Sequence, residues 1–388
     1  MRRHAIHKAI TTVLLLILTG LAGVVPGLAD PPVEPGGQSI RLVALGDLIY
    51  HMPIVKWAKH CGGDKYDFRP IFGAIKPWLE EADFSVAVLE TVLGGEADRG
   101  FTGYPMFNTP DEAVDALQWA GVDLVFTAHN HALDRGEKGV LRTIGVLDAK
   151  QMLHVGMNAS PDPAARVRIV NIKGITLAFL AYTTATNGIP TPKGKPWLVN
   201  SFAHDLVRED IRTARSLGAD GIVCALHAGA EYRREPDDEQ RAAVRFLLDN
   251  GVDIVLGSQP HAVQPIAFAT LPGFGGDGPP RVGFVAYSLG NCLSNQQWRY
   301  SDCGLTVALT VGKRPGGSGI MIRRVETQPL WVWRFKEGGL FGYKILLVGP
   351  AGVNPAEAVL NEEEKARVAQ VWQDTMETLG YYGTQPQQ

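Results

Sequence analysis

The feature that most limits what this chain can fold into is a regular alternation of short apolar runs and amphipathic stretches, with a polar residue closing one run after another. Ile40–Leu45 reads as a buried strand running into Gly46-Asp47, and Phe84–Leu89 as a strand closed by Glu90. Val122–Ala128 leads to His129-Asn130-His131, Gly221–Leu226 to His227, and Val252–Gly257 to His261. Helical stretches are expected between them at Ile71–Glu81, Asp111–Ala120, Gly139–Lys150, Ala203–Leu217 and Glu239–Asn250. Further strands are expected at Ile175–Tyr182, Val282–Leu289, Leu305–Val311, Gly319–Thr327 and Leu330–Phe335, and a last helix at Asn361–Glu377. Continuous apolar strands are buried on both faces, which requires helices or a second sheet over each side. The alternation therefore predicts an α/β fold in which polar residues that follow the strands collect at one sheet edge, where such folds bind ligands.

Of the 388 residues, 45% are hydrophobic and 20% charged, enough apolar surface for a substantial core. The first residues read as a secretory leader. Arg2, Arg3 and Lys8 precede an apolar run from about Ala9 to Val25, and Pro26-Gly27-Leu28-Ala29 offers a cut after Ala29. The same run, retained, would be an N-terminal membrane anchor. Either way the chain is expected to be exported, to the cell envelope or beyond. A Pro/Gly linker follows at 30–39, and one domain is expected from 40 to 388, with a C-terminal extension from about 312. Removing the leader takes three basic residues from a chain with 37 basic and 40 acidic ones, leaving 34 against 40 and a formal charge of −6. Bulk charge of that sign does not attract polyanions, so nucleic acid is not an expected partner, and an anionic substrate needs a local positive feature such as metal ions.

Cys224 lies within an apolar strand and is expected to be buried and unpaired; Cys61, Cys292 and Cys303 lie in loop-like sequence. Export permits a disulfide, and Cys292–Cys303 is the expected pair. Gly273, Gly275, Gly276 and Gly278 form a loose loop without the strand–turn–helix context of a phosphate cradle.

Taken singly, each strand-end residue has an ordinary explanation: Gly-Asp is a common turn, a lone Glu is often solvated, and Asn130 or His131 could cap the next helix. Taken together, Asp47, Glu90, Asn130, His227 and His261 form a mixed oxygen and nitrogen donor set suited to Mn, Zn, Fe or Mg rather than to a thiolate zinc site.

The order of these motifs resembles the CapA family of poly-γ-glutamate capsule biosynthesis proteins, within the calcineurin-like metallophosphatase superfamily. The resemblance is collinear from about Leu42 to Gln296. It rests on Gly46-Asp47, Leu89-Glu90-Thr91, Phe107-Asn108-Thr109-Pro110 with Asn130-His131-Ala132-Leu133-Asp134-Arg135-Gly136, His227-Ala228-Gly229-Ala230-Glu231-Tyr232, Gln259-Pro260-His261 and Ser288-Leu289-Gly290-Asn291. It implies a four-layer αββα sandwich with mixed sheets and one or two divalent metal ions. Asp47 would ligate the first metal, Glu90 would stand where relatives have a bridging Asp, and Asn130 would ligate the second. His227 and His261 match later ligands, and His131 matches the residue that protonates the leaving group. Asp134 would fix the tautomer of His131, with Glu231, Gln259 and Asn291 in the supporting or substrate-contacting shell. The implied partners are an anionic polymer or a phosphoester substrate, and other capsule synthase subunits at the membrane. Three positions depart from the family pattern: Gln259 where His is frequent, Ala228 for Trp, and Cys292 for an aromatic residue. Gln is a weaker, neutral donor, with His51 and His129 as possible substitutes. Metal-dependent hydrolysis and non-catalytic binding of an anionic polymer both remain open at this level.

N-terminal sequencing of the exported protein should find a chain beginning near Asp30; a membrane-embedded chain still beginning at Met1 would show that the leader is retained.

Overall fold

The computed structural model describes residues 38–97, 99–273, 280–315, 319–354 and 359–380. The expected leader, all but the end of the linker, and Gly275, Gly276 and Gly278 lie outside these residues.

The chain builds one sheet, leaves it to build a second, and returns to finish the first. The opening part supplies β1 (Ser39–Leu48), β2 (Phe84–Leu89), β3 (Leu124–Phe126) and β4 (Leu153–Val155). Between them lie α1 (Met52–Gly62), α2 (Arg69–Phe72), α3 (Lys76–Glu80), α4 (Glu112–Ala120) and α5 (Gly136–Ala149). The middle part supplies β5 (Arg168–Ile172), β6 (Ile175–Thr183), β7 (Gly221–His227), β8 (Ile254–Ser258), β9 (Ile266–Leu271) and β10 (Arg281–Ala286), with α6 (His204–Ser216) and α7 (Asp238–Asp249). The last part adds β11 (Asn291–Leu293), β12 (Cys303–Lys313), β13 (Ile320–Glu337), β14 (Leu340–Gly349), β15 (Gly352–Asn354) and α8 (Glu362–Thr378).

The first sheet runs β15-β14-β13-β12-β1-β2-β3-β4, with β11 on the end of β1, and the second runs β5-β6-β7-β8-β10-β9. Both are mixed. β1 is parallel to β2 and antiparallel to β12, while β6, β7, β8 and β10 are parallel and β5 and β9 antiparallel at the edges.

Side chains alternate across a strand, and the sequence uses both faces. From β1, Ile40, Leu42 and Ala44 enter the core between the sheets with Leu177, Phe179 and Ala181 of β6. Val43 and Leu45 face the other way, against Trp57, Ile71 and Leu117 of the helices. On the second sheet Leu180, Cys224 and Leu226 pack under Val207 and Ile211 of α6 and Leu247 of α7. The layers are helix, sheet, sheet, helix, the αββα arrangement expected. Residues after β12 complete the first sheet and cover part of it with α8, whose Val368 and Val371 pack on Trp331 and Leu346.

Several expected elements differ. The helix at Ile71–Glu81 is broken into α2 and α3, because Pro77 cannot donate the backbone bond that would continue a helix through Gly73. The strands expected at Gly319–Thr327 and Leu330–Phe335 are one strand, β13. Pro329 sits where β13 exchanges β12 for β14 as its main partner, and the Gln328 side-chain amide donates to Val348 O at 2.7 Å beside it. β14 was not expected, since its apolar residues are interrupted by Gly342 and Lys344. The Cys292–Cys303 disulfide is absent. All four cysteines are free; Cys292 packs under the first helical layer and Cys303 in the separate cluster beneath α8. Cys224 is buried and unpaired as expected.

Two motif glycines are required by close backbone approach. A Cβ on Gly46 would lie 2.0 Å from Gly290 O, and one on Gly257 would lie 1.9 Å from Tyr287 O. These approaches draw β1, β8 and the 287–290 turn together, and Asp47 N–H donates to Gly290 O at 3.0 Å. Gly46→Ala should therefore cost about 3 kcal/mol of stability in denaturant titration. Gly145→Ala, at an exposed and unobstructed position in α5, should instead gain about 0.5–1 kcal/mol. Equal effects would show that the strand approach at Gly46 is not tight.

Candidate metal centre

The parallel strands deliver their following residues to one edge. Asp47 lies near the end of β1, Glu90 follows β2, Asn130 follows the short β3, His227 ends β7, and His261 follows β8. All five side chains are buried, and they meet. His261 Nδ1 lies 3.1 Å from Asp47 Oδ2, and its Nε2 lies 3.7 Å from Glu90 Oε1. His227 Nδ1 is 3.9 Å from Asp47 Oδ1, while its Nε2 is 3.9 Å from Glu90 Oε1 and 3.1 Å from Asn130 Oδ1. Donor atoms of Asp47, Glu90 and His261 all lie within 4.8 Å of one another.

This arrangement leaves charge uncompensated. Asp47 Oδ1 and both carboxylate oxygens of Glu90 are buried without a hydrogen-bond partner. Removing an ionised carboxylate from water costs several kcal/mol when nothing replaces its solvation. Burial first, and then the neighbouring Asp47, hold Glu90's carboxyl well above the usual carboxylate range. Burial and the other imidazoles push His227 well below its ordinary value, so its ring is neutral and its lone pair available. Two carboxylates with orphaned oxygens, two imidazoles and a carboxamide oxygen are the donor set a divalent cation fits.

The backbone is strained here. Gln259 has φ 94° and His261 φ 53°, and Tyr232, whose N–H donates to Pro260 O at 2.7 Å, has φ 64°. Left-handed backbone at non-glycine residues costs of order 1–3 kcal/mol each, and three such residues in two touching loops mark a shape held for the site.

His131 stands beside the cluster. Its Nδ1–H donates to Asp134 Oδ2 at 2.7 Å, and the Phe107 N–H donates to the same oxygen at 2.6 Å. The Phe107 ring meets the imidazole edge-on with centroids 4.6 Å apart. His131 and Asp134 line a cavity of about 720 Å³, whose wall also includes Glu231, Tyr232, Asn295 and Trp298. Asn291, paired in register with Asp47 across β11 and β1, donates to Gln296 Oε1 at 2.9 Å and keeps its own Oδ1 unpartnered. Gln259 donates its backbone N–H to Asp47 Oδ2 at 3.3 Å, and its side-chain amide to Glu231 Oε1 at 3.5 Å. His51 is turned to the cavity wall, where its Nδ1 accepts from Asn295 N–H at 3.2 Å. His129 is buried near His227, both ring nitrogens unpartnered and its pKa pushed down to about 3 by burial.

Two residues outside the sequence-based set belong to the site. Asn187 accepts from Asn130 Nδ2 at 3.3 Å and reaches His131 Nε2 at 3.3 Å, linking the donor cluster to the imidazole. It lies in a loop with no strand-end signature. Ser258 Oγ lies 2.7 Å from His227 Nδ1 and orients that ring; its position immediately before Gln259 was the available signal.

The raised carboxyl of Glu90 carries a stability consequence. In metal-free protein this group favours the protonated form, so stability is fullest below the ordinary carboxylate range and falls as pH climbs toward Glu90's own pKa. A bound cation reverses the preference. The difference in Tm between manganese-loaded and chelator-treated protein should widen as pH rises above the ordinary carboxylate range, and Glu90→Gln should flatten it. A pH-independent difference in the parent protein would contradict the geometry.

The model of the family described as bacterial capsule synthesis protein PGA_cap matches residues 41–296. Among curated proteins, the chain is 26% identical over 276 residues to "Capsule biosynthesis protein CapA" of Bacillus anthracis, covering 69% of this chain and 63% of that one. It is 25% identical over 261 residues to "PGA biosynthesis protein CapA" of Bacillus subtilis (strain 168), covering 66% of this chain and 63% of the relative. The matches thus span less than two thirds of these relatives' length. Among solved structures, the NAD nucleotidase of Haemophilus influenzae aligns over 87% of this chain and 63% of its own, with 12% identity and a TM-score of 0.48. With the family match running from within β1 to just past β11, and every motif of the donor cluster inside it, the chain belongs to the bacterial capsule synthesis protein family PGA_cap.

Proposed function

We propose that this chain is an exported, metal-dependent hydrolase of a phosphoester or related anionic bond, acting in the synthesis or export of a poly-γ-glutamate capsule. The observation that carries the reading is the buried donor cluster, with its orphaned carboxylate oxygens, next to an imidazole that faces an open cavity. Asp47, Glu90, His227, His261 and Asn130 would hold one or two divalent ions. Bound there, such ions neutralise an anionic group and lower the pKa of a bound water.

The chain's own residues supply the rest. Asp134 accepts the Nδ1 proton of His131 and fixes its tautomer. The same carboxylate stabilises the ring when it is doubly protonated, so that Nε2–H can be given to a departing oxygen. Phe107, meeting the ring edge-on, and the Asn187 amide both contact it and restrict its orientation. Gln259 offers a neutral amide where an imidazole would bind more tightly, so a second ion would be held more loosely than the first. The relatives' names, which speak of capsule and PGA biosynthesis, support an anionic polymer, or a phosphoester met during its handling, as the proposed substrate class, and other capsule synthase subunits at the membrane as the proposed partners.

The test is a series of aryl phosphoesters of graded leaving-group pKa, assayed with excess manganese or zinc. His131→Ala should keep its metal content but lose about 10²–10⁴ in rate on poor leaving groups, and far less on good ones. Equal rates for parent and variant on a poor leaving group would remove His131 from the mechanism. No turnover by the metal-loaded parent on any ester would overturn the hydrolase reading and leave a metal-stabilised binding protein.

A further inference from the structure

The cavity beside the donor cluster is poorly suited to an acidic polymer. Among the described residues that line it, none is Lys or Arg, and its acidic members are Asp134 and Glu231. His131 and the Phe107 amide both bond to Asp134 Oδ2, whereas the exposed Glu231 takes a long 3.5 Å contact from Gln259 and lies beside the Tyr232 hydroxyl. A substrate bearing a carboxylate on every repeat would meet this wall with like charge, and no Lys or Arg among the described lining residues would offset it.

What the wall does offer is aromatic surface. Tyr104 is 79% exposed, Trp298 51% and Tyr232 43%, and all three line the same cavity. Large aromatic side chains left this open beside a buried site are binding surface rather than unfinished core. They are also held in place. Tyr232 packs against Trp298 with ring centroids 5.2 Å apart, and its hydroxyl accepts from Gln296 Nε2 at 3.1 Å. Helix α8 pins both segments from outside. Asp374 takes a two-point bond from Arg299, next to Trp298, at 2.7 and 3.0 Å, and Thr378 accepts from Arg234, two residues after Tyr232, at 2.7 Å. α8 lies beyond the residues matched by the family model, so part of what rigidifies this wall comes from outside the matched region.

Building on the hydrolase reading, we propose that this cavity is the specificity subsite and takes an uncharged, hydroxyl-bearing ring, so that the substrate is the phosphoester of a neutral cyclic alcohol rather than an acidic polymer segment. The ring stacks on Trp298 and Tyr232, and Glu231 accepts from its hydroxyls. A cavity of about 720 Å³ is within the usual range for a small-molecule site.

The experiment compares four monophosphates on the manganese-loaded protein: a hexose phosphate, a nucleoside phosphate, an acyclic alkyl phosphate and a carboxylate-bearing phosphate. The cyclic esters should show KM about tenfold lower than the other two, with kcat within a few-fold; that ratio corresponds to about 1.4 kcal/mol. Hexose against nucleoside then identifies the source of the ring. Trp298→Ala should raise KM for the cyclic esters about tenfold and leave the acyclic ester unchanged, and Glu231→Gln should lower KM for the carboxylate-bearing ester. An equal or lower KM for the carboxylate-bearing ester in the parent, or a Trp298→Ala effect shared by all four, would overturn the subsite. If none of the four is turned over, the hydrolase reading fails, and the subsite is then judged by saturation-transfer NMR with methyl glucoside and a nucleoside on metal-free protein. Signal in the parent that is lost in Trp298→Ala upholds it; no signal, or equal signal in both, overturns it.

Discussion

The structure turns on two carboxylates that the fold forces into one buried place. Asp47 and Glu90 are both sealed from solvent, with three of their four oxygens unpartnered. Like charges in a low-dielectric interior repel strongly, and without compensation one must take up a proton. The surrounding side chains answer with lone pairs: burial and neighbouring imidazoles hold His227 neutral, and Asn130 turns its amide oxygen inward. A cluster of lone pairs around unsatisfied carboxylates would be completed by a metal ion, and the strained loops at Gln259 and His261 would then aim donors at it.

Topology explains how residues more than 200 positions apart arrive together. β1, β2 and β3 in one sheet, and β7 and β8 in the other, end on the same side of the molecule, so every segment that leaves a strand there contributes to one crevice. The glycines at 46 and 257 let the backbones close to distances that a Cβ would prevent. The two halves of the site then divide the work. The interior cluster is sealed and can concentrate charge, while the outer cavity is open, aromatic and braced by α8. His131 stands at the boundary, tied to Asp134 on one side and facing the cavity on the other.

Much of this was legible in the sequence because burial on both faces leaves an unmistakable pattern. Continuous apolar runs marked the central strands of both sheets, and the residues that ended them named the donor cluster. What could not be read follows from the same physics. β14 carries Gly342 and Lys344 among its apolar residues, so no clean periodicity announces it. Pro329 looked like a strand terminus, yet it falls at a change of partner, where a side-chain amide bonds in the ladder beside it. The Cys292–Cys303 pairing was an inference from loop-like context, but both residues lie on strands and pack into different clusters. Asn187 left no trace because it comes from a loop whose path only the tertiary structure sets, and the aromatic wall of the cavity was hidden for the same reason.

The central claim is that the fold places these side chains around a cation. Anomalous diffraction from crystals grown with manganese tests it directly. The account predicts a strong anomalous peak within coordination distance of Asp47, Glu90 and His261, lost in crystals of Glu90→Gln grown identically. A well-diffracting parent crystal with no peak at this position, or with manganese bound only at surface carboxylates, would contradict it.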